Sequence, residues 1–230
     1  MRSKKPLGVR AYGSIPHLLG SKLGIADRHI HEGQHNILTC KKRDRHDVIF
    51  ATEKYDGSNV AIAKKDGKIL SLTRSGYEAR TSPYPQHLVF AQYVEAGKSL
   101  FDHILNEGER LCCEWLLKTH SLEYSMSEKI QPIIAFDIIG KDNKRLSYFD
   151  FLSRNTFMPK ARILHIGHSL PIRDAMPLLN SENNHPIQCL EKPEGIVYRC
   201  ERKGMFDFCA KYVRADFVPG KYLELTKHNL

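Results

Sequence analysis

The sequence predicts an α+β protein built mainly of antiparallel sheets with flanking helices. Three observations predict it. Short apolar runs rich in β-branched residues recur from Val48 to Val213, at strand rather than helix length. Two of them, Val60 to Ala63 and Ile69 to Thr73, bracket Lys65-Asp66-Gly67-Lys68, a hairpin signal that makes the pair antiparallel. Strand and helix patterns then mix without the regular alternation that a parallel sheet requires.

In chain order, residues 1–47 are rich in Gly, His, Lys and Arg and show little periodicity. Tyr12, Ile15, Leu18 and Leu19 need burial, so Ala11 to Leu19 reads as structured loop and short turns. Lys41-Lys42-Arg43 reads as a solvated loop. Val48 to Thr52 is apolar or β-branched throughout and reads as a buried strand, which Asp56-Gly57 ends as a turn. After the hairpin, Pro85 to about Glu107 has helical spacing and is closed by Asn106-Glu107-Gly108. Leu111 to Leu117 and Ile133 to Ile139 read as strands joined by a polar loop with His120, Glu123 and Tyr124. A short helix is expected over Phe149 to Phe157, then strands at Arg162 to Ile166, Gly195 to Tyr198 and Phe206 to Val213, with loop from Asn180 to Pro186.

At 230 residues the chain is long enough for one large domain or two small ones. The reading taken is a single domain over 1–230, opened by a basic segment. No apolar run reaches membrane-spanning length, and Met1-Arg2-Ser3-Lys4-Lys5-Pro6 lacks a secretory apolar stretch, so an intracellular, cytoplasmic protein with no membrane partner is expected. The net charge of +9 favours a polyanionic partner, because neutralising phosphates releases counterions. Six cysteines form no CxxC pair and are expected to be reduced. His29, His31 and His35, like His165 and His168, lack the flanking cysteines or HExxH spacing of a zinc site and read as solvated or packed.

Lys54 follows the first strand at a turn, where a side chain can enter a cleft; a desolvated or cation-flanked amine becomes nucleophilic. Later strands each carry a charge that burial alone does not explain: Glu114, Asp137, Glu194 and Lys211. Such charges must pair, bind a ligand or face outward. Two lysines and several carboxylates spread over strands suggest a site for a nucleoside triphosphate and a divalent metal.

Taken in order, Lys54-x-Asp56-Gly57, Arg74-Ser75-Gly76, Glu114-Trp115, Phe136-Asp137-Ile138, Glu194-Gly195-Ile196-Val197 and Lys211 resemble the successive motifs of the covalent nucleotidyltransferases, the polynucleotide ligases and mRNA capping enzymes. Tyr12-Gly13-Ser14-Ile15, Ser21-Lys22 and Asn59 look most like the ATP-dependent RNA ligases of the nick-sealing phage and RNA-editing branch. The resemblance runs from about Tyr12 to Phe217 and implies a nucleotidyltransferase (adenylylation) fold. It also implies a ligase that joins 5′-phosphate and 3′-OH RNA ends with ATP and Mg²⁺ or Mn²⁺. Lys54 would attack the α-phosphate of ATP and become lysyl-AMP; the AMP would pass to the RNA 5′-phosphate, and a 3′-OH would then displace it. The demand on the protein is in-line positioning and neutralisation of charge.

The resemblance also implies roles. Lys211 would hold the α-phosphate and help depress the pKa of Lys54 by like-charge repulsion. Glu194 would engage the divalent metal, a hard cation that selects carboxylate oxygen. Glu114 would accept from ribose hydroxyls, Phe136 would stack on adenine, and Arg74 and Asn59 would serve the ribose, the phosphate or the RNA end. The backbone of Glu53 would help select adenine. Asp56 would shape its turn and Asp137 would pair with a nearby cation. Ligases often show Lys-x-Lys in the last motif, whereas this chain has Lys211-Tyr212-Val213-Arg214, which leaves open whether Arg214 replaces a second lysine. The chain ends 19 residues after Lys211, so no OB-fold or C-terminal domain is expected, and RNA grip would fall to the basic N-terminal segment or a partner protein. The alternatives are a non-catalytic RNA-end-binding module on the same fold, and a DNA ligase or GTP-dependent capping enzyme, both of which would be expected to carry an OB domain.

Overall fold

The computed structural model describes residues 4–221. In chain order its elements are α1 (Glu32–Thr39), β1 (Asp47–Lys54), β2 (Ser58–Lys65), β3 (Lys68–Thr73), a 3-10 turn (Ala79–Thr81), α2 (Pro85–Ala96), α3 (Lys98–Ile104), β4 (Arg110–Trp115) and β5 (Tyr124–Met126). There follow β6 (Ile133–Ile139), α4 (Tyr148–Arg154), β7 (Ile163–Gly167), α5 (Ile172–Leu179), β8 (Ile187–Cys189), β9 (Gly195–Arg202) and β10 (Met205–Val213). Among the described residues every pairing between these strands is antiparallel, in keeping with the mainly antiparallel α+β reading. The elements fall into two compact units, each assembled from separated stretches of chain.

The first unit draws on Met1–Gly13, Gly57–Lys118 and Pro132–Lys160. Its sheet has the order β3-β2-β4-β6. The β2–β3 hairpin turns on Asp66 and Gly67, both with positive φ (51° and 67°), the backbone that matches strand twist in a two-residue turn. The Glu107 carboxylate accepts from both turn amides, at 2.6 and 3.1 Å. The single helix expected from Pro85 to Glu107 is two, broken at Gly97, where a residue of low helix propensity ends α2 and precedes α3. Their buried Phe90, Val94, Phe101 and Ile104 are core residues, and Trp115 lies 5.5 Å from the ring of Phe90 and 5.7 Å from that of Tyr93.

The second unit draws on Ser14–Asp56, Thr119–Gln131 and Ala161–Leu230, and its main sheet has the order β10-β9-β1-β7. Ile49 and Ala51 of β1, Ile196, Tyr198 and Cys200 of β9 and Ala210 of β10 form one core with Leu38 of α1, Ala175 and Leu179 of α5, and Leu18. Four elements here, α1, α5, β5 and β8, escape the sequence patterns. α1 is capped by His31, whose Nδ1 accepts from the Gly33 amide at 3.1 Å, and it buries only Leu38 and Thr39. α5 follows Pro171 and contains Pro177, a residue that normally ends helices. The polar loop after β4 forms β5, which pairs with β8. The basic run 41–43 is also not simply solvated. Arg43 grips the fully buried Asp47 through two hydrogen bonds of 2.8 Å and reaches Asp207 at 2.5 Å. All six cysteines are free thiols. No helix among the described residues is long and apolar enough to cross a membrane.

Candidate active site

Strand alternation divides the second unit's sheet into an apolar face and a charged face. Register pairs Lys54 with Gly195 and Gly195 with Val213; it pairs Thr52 with Val197 and Val197 with Lys211. Lys54 and Lys211 therefore share one face of the sheet, diagonally across β9, opposite the face that carries Ile49 and Ala51. Glu194 stands immediately before β9, and its carboxylate accepts from the Lys54 ammonium in an ion pair. Burial raises the Glu194 carboxyl above its usual range, against the opposing pull of Lys54. Burial also lowers Lys211, with the charge of Lys54 as the next cause. At Gly195 any side chain is barred: a Cβ would lie 1.8 Å from the Tyr212 carbonyl oxygen, so close strand contact fixes the backbone beside Glu194.

Asp56 shapes the turn after β1, accepting from the Ser121 amide at 2.8 Å while its own amide donates to the Tyr124 hydroxyl at 2.7 Å. The chain then passes into the first unit. There the Gly57 amide donates to Glu114 at 3.1 Å, and the Asn59 side-chain amide donates to the same carboxylate at 3.5 Å. Asn59 and Glu114 face each other directly in the β2–β4 register, and the Arg74 amide donates to the Asn59 carbonyl at 3.1 Å. Phe136 meets Tyr12 edge to face with ring centroids 5.1 Å apart. The buried Asp137 pairs with Arg145, whose guanidinium also donates to the Tyr12 hydroxyl at 2.7 Å.

The sequence profile of the RNA ligase family matches residues 47–213, from the start of β1 to the end of β10. The chain belongs to the RNA ligase family. Among solved structures, an archaeal ATP-dependent RNA ligase superposes with a TM-score of 0.53 at 16% identity, over 88% of this chain and 48% of that one. A Naegleria gruberi RNA ligase with pyrophosphate gives 0.51 at 17% identity, over 93% of this chain and 61% of that one. These likenesses show a shared fold, that of nucleotidyltransferase-type RNA ligases. The chain spans about half the length of the archaeal ligase and about three fifths of the Naegleria one. A sequence search of curated proteins finds no match.

In this RNA ligase family member, the motif residues gather into two groups, Lys54–Glu194–Lys211 in the second unit and Asn59–Glu114 in the first. Glu53 points the other way from Lys54, as its neighbour on a strand must. Its amide donates to the Arg162 carbonyl at 2.9 Å, and its carboxylate lies 3.5 Å from the Arg162 guanidinium. Burial pushes its carboxyl up to about 7, with Arg162 opposing. Glu53 and Arg162 line a cleft of about 680 Å³ with Leu179, Ser181 and Cys189. Arg214 is committed elsewhere than the charged face: it donates to the carbonyls of Pro193 (2.9 Å) and Lys192 (3.2 Å) and pairs with Asp216 at 2.8 Å. It thereby braces the loop that delivers Glu194. Val213, the position of a second lysine in Lys211-x-Lys, is buried against Leu122 and Phe217.

Among the described residues no group of three or more His, Cys, Asp or Glu side chains could hold a metal by itself. The buried Glu194 carboxylate still suits a hard divalent cation of the kind that takes one or two protein oxygens and completes its shell with phosphate and water. Sequence reasoning missed two neighbours of Lys211. The buried His17 and the half-buried Asp27 lie in the aperiodic N-terminal stretch, and Asp27 approaches Lys211 to 3.5 Å.

Proposed function

We propose that the chain is an ATP-dependent RNA ligase that joins 5′-phosphate and 3′-OH ends through a lysyl-AMP intermediate, with residues 1–230 acting as one nucleotidyltransferase domain. The observation that carries this reading is the placing of Lys54 and Lys211 on one face of the sheet, with Glu194 against Lys54. In the first step the neutral amine of Lys54 attacks the α-phosphorus of ATP. An N–P bond forms, the bond to the bridging oxygen breaks, pyrophosphate leaves, and the amine gives up a proton. Mutual repulsion with Lys211 opposes a full positive charge on both lysines, and Lys211 meets the anionic α-phosphate. In the second step the RNA 5′-phosphate takes the AMP and frees Lys54; in the third the RNA 3′-OH forms the phosphodiester and AMP leaves. A divalent cation held by Glu194 would supply neutralisation of phosphate charge.

The remaining assignments follow the family resemblance: Glu114 for the ribose hydroxyls, Phe136 for adenine, Arg74 and Asn59 for ribose, phosphate or RNA end. The Glu53 backbone is assigned to adenine, although its amide is already engaged by Arg162. RNA is the partner, held by the basic N-terminal segment or by a partner protein, and the cytoplasm is the proposed compartment. The test is intact-mass analysis after incubation with ATP and Mg²⁺ or Mn²⁺, followed by sealing of single-stranded and nicked 5′-phosphate RNA with DNA controls. The wild-type chain should gain one AMP and Lys54→Ala none. An adduct with GTP alone, or an adduct retained in Lys54→Ala, overturns the reading.

A further inference from the structure

Lys211 lies on β10, an edge strand of its sheet, and residues 16–22 run along that edge. The Lys211 amide donates to the Pro16 carbonyl at 2.9 Å, the Leu18 amide to the Lys211 carbonyl at 2.8 Å, and the Lys22 amide to the Val213 carbonyl at 3.0 Å. This strip carries His17 into a site where it is 1% exposed. Ser21 Oγ accepts from the Val213 amide at 2.9 Å, lies 2.7 Å from His17 Nδ1 and reaches the Lys22 carbonyl at 3.5 Å. On its other side the ring brings Nε2 to 3.0 Å from Asp27 Oδ2. Asp27 Oδ2 also accepts from the Gly24 amide at 3.0 Å, while Oδ1 faces the Lys211 ammonium at 3.5 Å.

The electrostatics agree with that geometry. Burial, then the charge of Lys211, pushes His17 down, which keeps the imidazole neutral. Burial opposes ionisation of Asp27, but the Gly24 amide, Lys211 and His17 together hold it below the usual carboxylate range. Lys211, depressed by burial and by Lys54, therefore faces a fixed negative charge that favours its ammonium form. Its long flexible stem would otherwise spread that charge over many rotamers. The 3.5 Å contact is looser than a tight buried pair, so a phosphate can draw the ammonium away at small cost. His17, Ser21 and Asp27 all lie outside the span that matches the family profile.

We propose that Asp27, set in place by His17 and Ser21, is a positioning residue for Lys211, holding its ammonium charged and aimed where the nucleotide α-phosphate binds. This rests on the reading of Lys211 as the lysine that meets that phosphate. The test is a double-mutant cycle on single-turnover lysine adenylylation, with Asp27→Asn made in the wild-type and the Lys211→Met backgrounds. Asp27→Asn should slow the reaction about tenfold when Lys211 is present. It should slow it less than about twofold when Lys211 is gone, because its effect passes through that side chain. Equal losses in both backgrounds would mean a purely structural role and overturn the proposal, as would no loss in the wild-type background. If Asp27→Asn lowers the melting temperature, His17→Gln, whose amide nitrogen can stand in for Nε2, is compared with His17→Ala: a faster reaction in the Gln variant supports the proposal and equal rates overturn it. A wild-type chain that takes up no AMP removes the ligase reading and this proposal together; label in the wild type with an unresponsive Asp27 removes only the latter.

Discussion

In the second unit the charged motif residues meet charged partners: Lys54 meets Glu194, and Lys211 meets Asp27, which lies outside the motifs. On the sheet of the first unit, Glu114 is instead pinned by neutral donors, the Gly57 amide and the Asn59 side chain, and Phe136 is set by an aromatic edge. Ion pairs between side chains can be exchanged for a phosphate, because one charged partner replaces another. Backbone-anchored hydrogen bonds hold a carboxylate at a fixed orientation, which suits recognition of a neutral ribose or base. On the proposed reading the contrast amounts to a division of labour: exchangeable charge would serve the reacting phosphate, and fixed polarity the parts of the nucleotide that do not react.

That division predicts different kinetic signatures. Lys211→Met and Glu194→Gln should each lower the adenylylation rate at saturating ATP by about a hundredfold, with smaller changes in KM. Single-turnover labelling across an ATP series reads both quantities. Next in size is a stability effect in the second unit. Asp47→Asn removes the charge that holds Arg43 and Arg202, and urea denaturation should show a loss of about 3 kcal/mol. In the first unit, Glu114→Gln should raise the KM for ATP about tenfold with little loss of rate at saturation, since a hydrogen bond to a charged group is worth about 1.5–3 kcal/mol. A rate loss in Glu114→Gln equal to that of Lys211→Met would break the division.

The last effect is one of pH. The Glu53 carboxyl is raised in the folded chain to about 7, so the protonated form is favoured by folding. Its stabilising contribution is present below the unfolded value and is lost as pH rises through about 7. Glu53→Gln should therefore match the wild type near pH 4 and exceed it near pH 8, by up to about 3 kcal/mol. Thermal melts at the two pH values check this, and a Gln variant less stable near pH 8 would show that the Arg162 contact outweighs burial.

The strands were legible because their apolar periods are local, and the β2–β3 turn announced itself through Asp66-Gly67. The charged residues Lys54, Glu194 and Lys211 were legible because each interrupts a strand or a strand's approach. What the sequence could not reveal depends on distant partners. α1 takes its cap from a histidine, and α5 forms around a proline because Ala175 and Leu179 have a core to enter. His17 and Asp27 gain meaning only once β10, from the far end of the chain, lies beside them. Arg214 could be weighed as a lysine substitute on paper, but its carbonyl partners at 192 and 193 are visible only in three dimensions.

The strip 16–22 also has a consequence for solubility. An uncovered strand margin is a template on which further chains stack, and aggregation commonly starts there. By occupying the outer hydrogen-bonding side of β10 at Lys211 and Val213, the strip covers that end of the margin with the same polypeptide. Proteolytic nicking or truncation that removes it should convert a monodisperse preparation into one prone to strand-to-strand association.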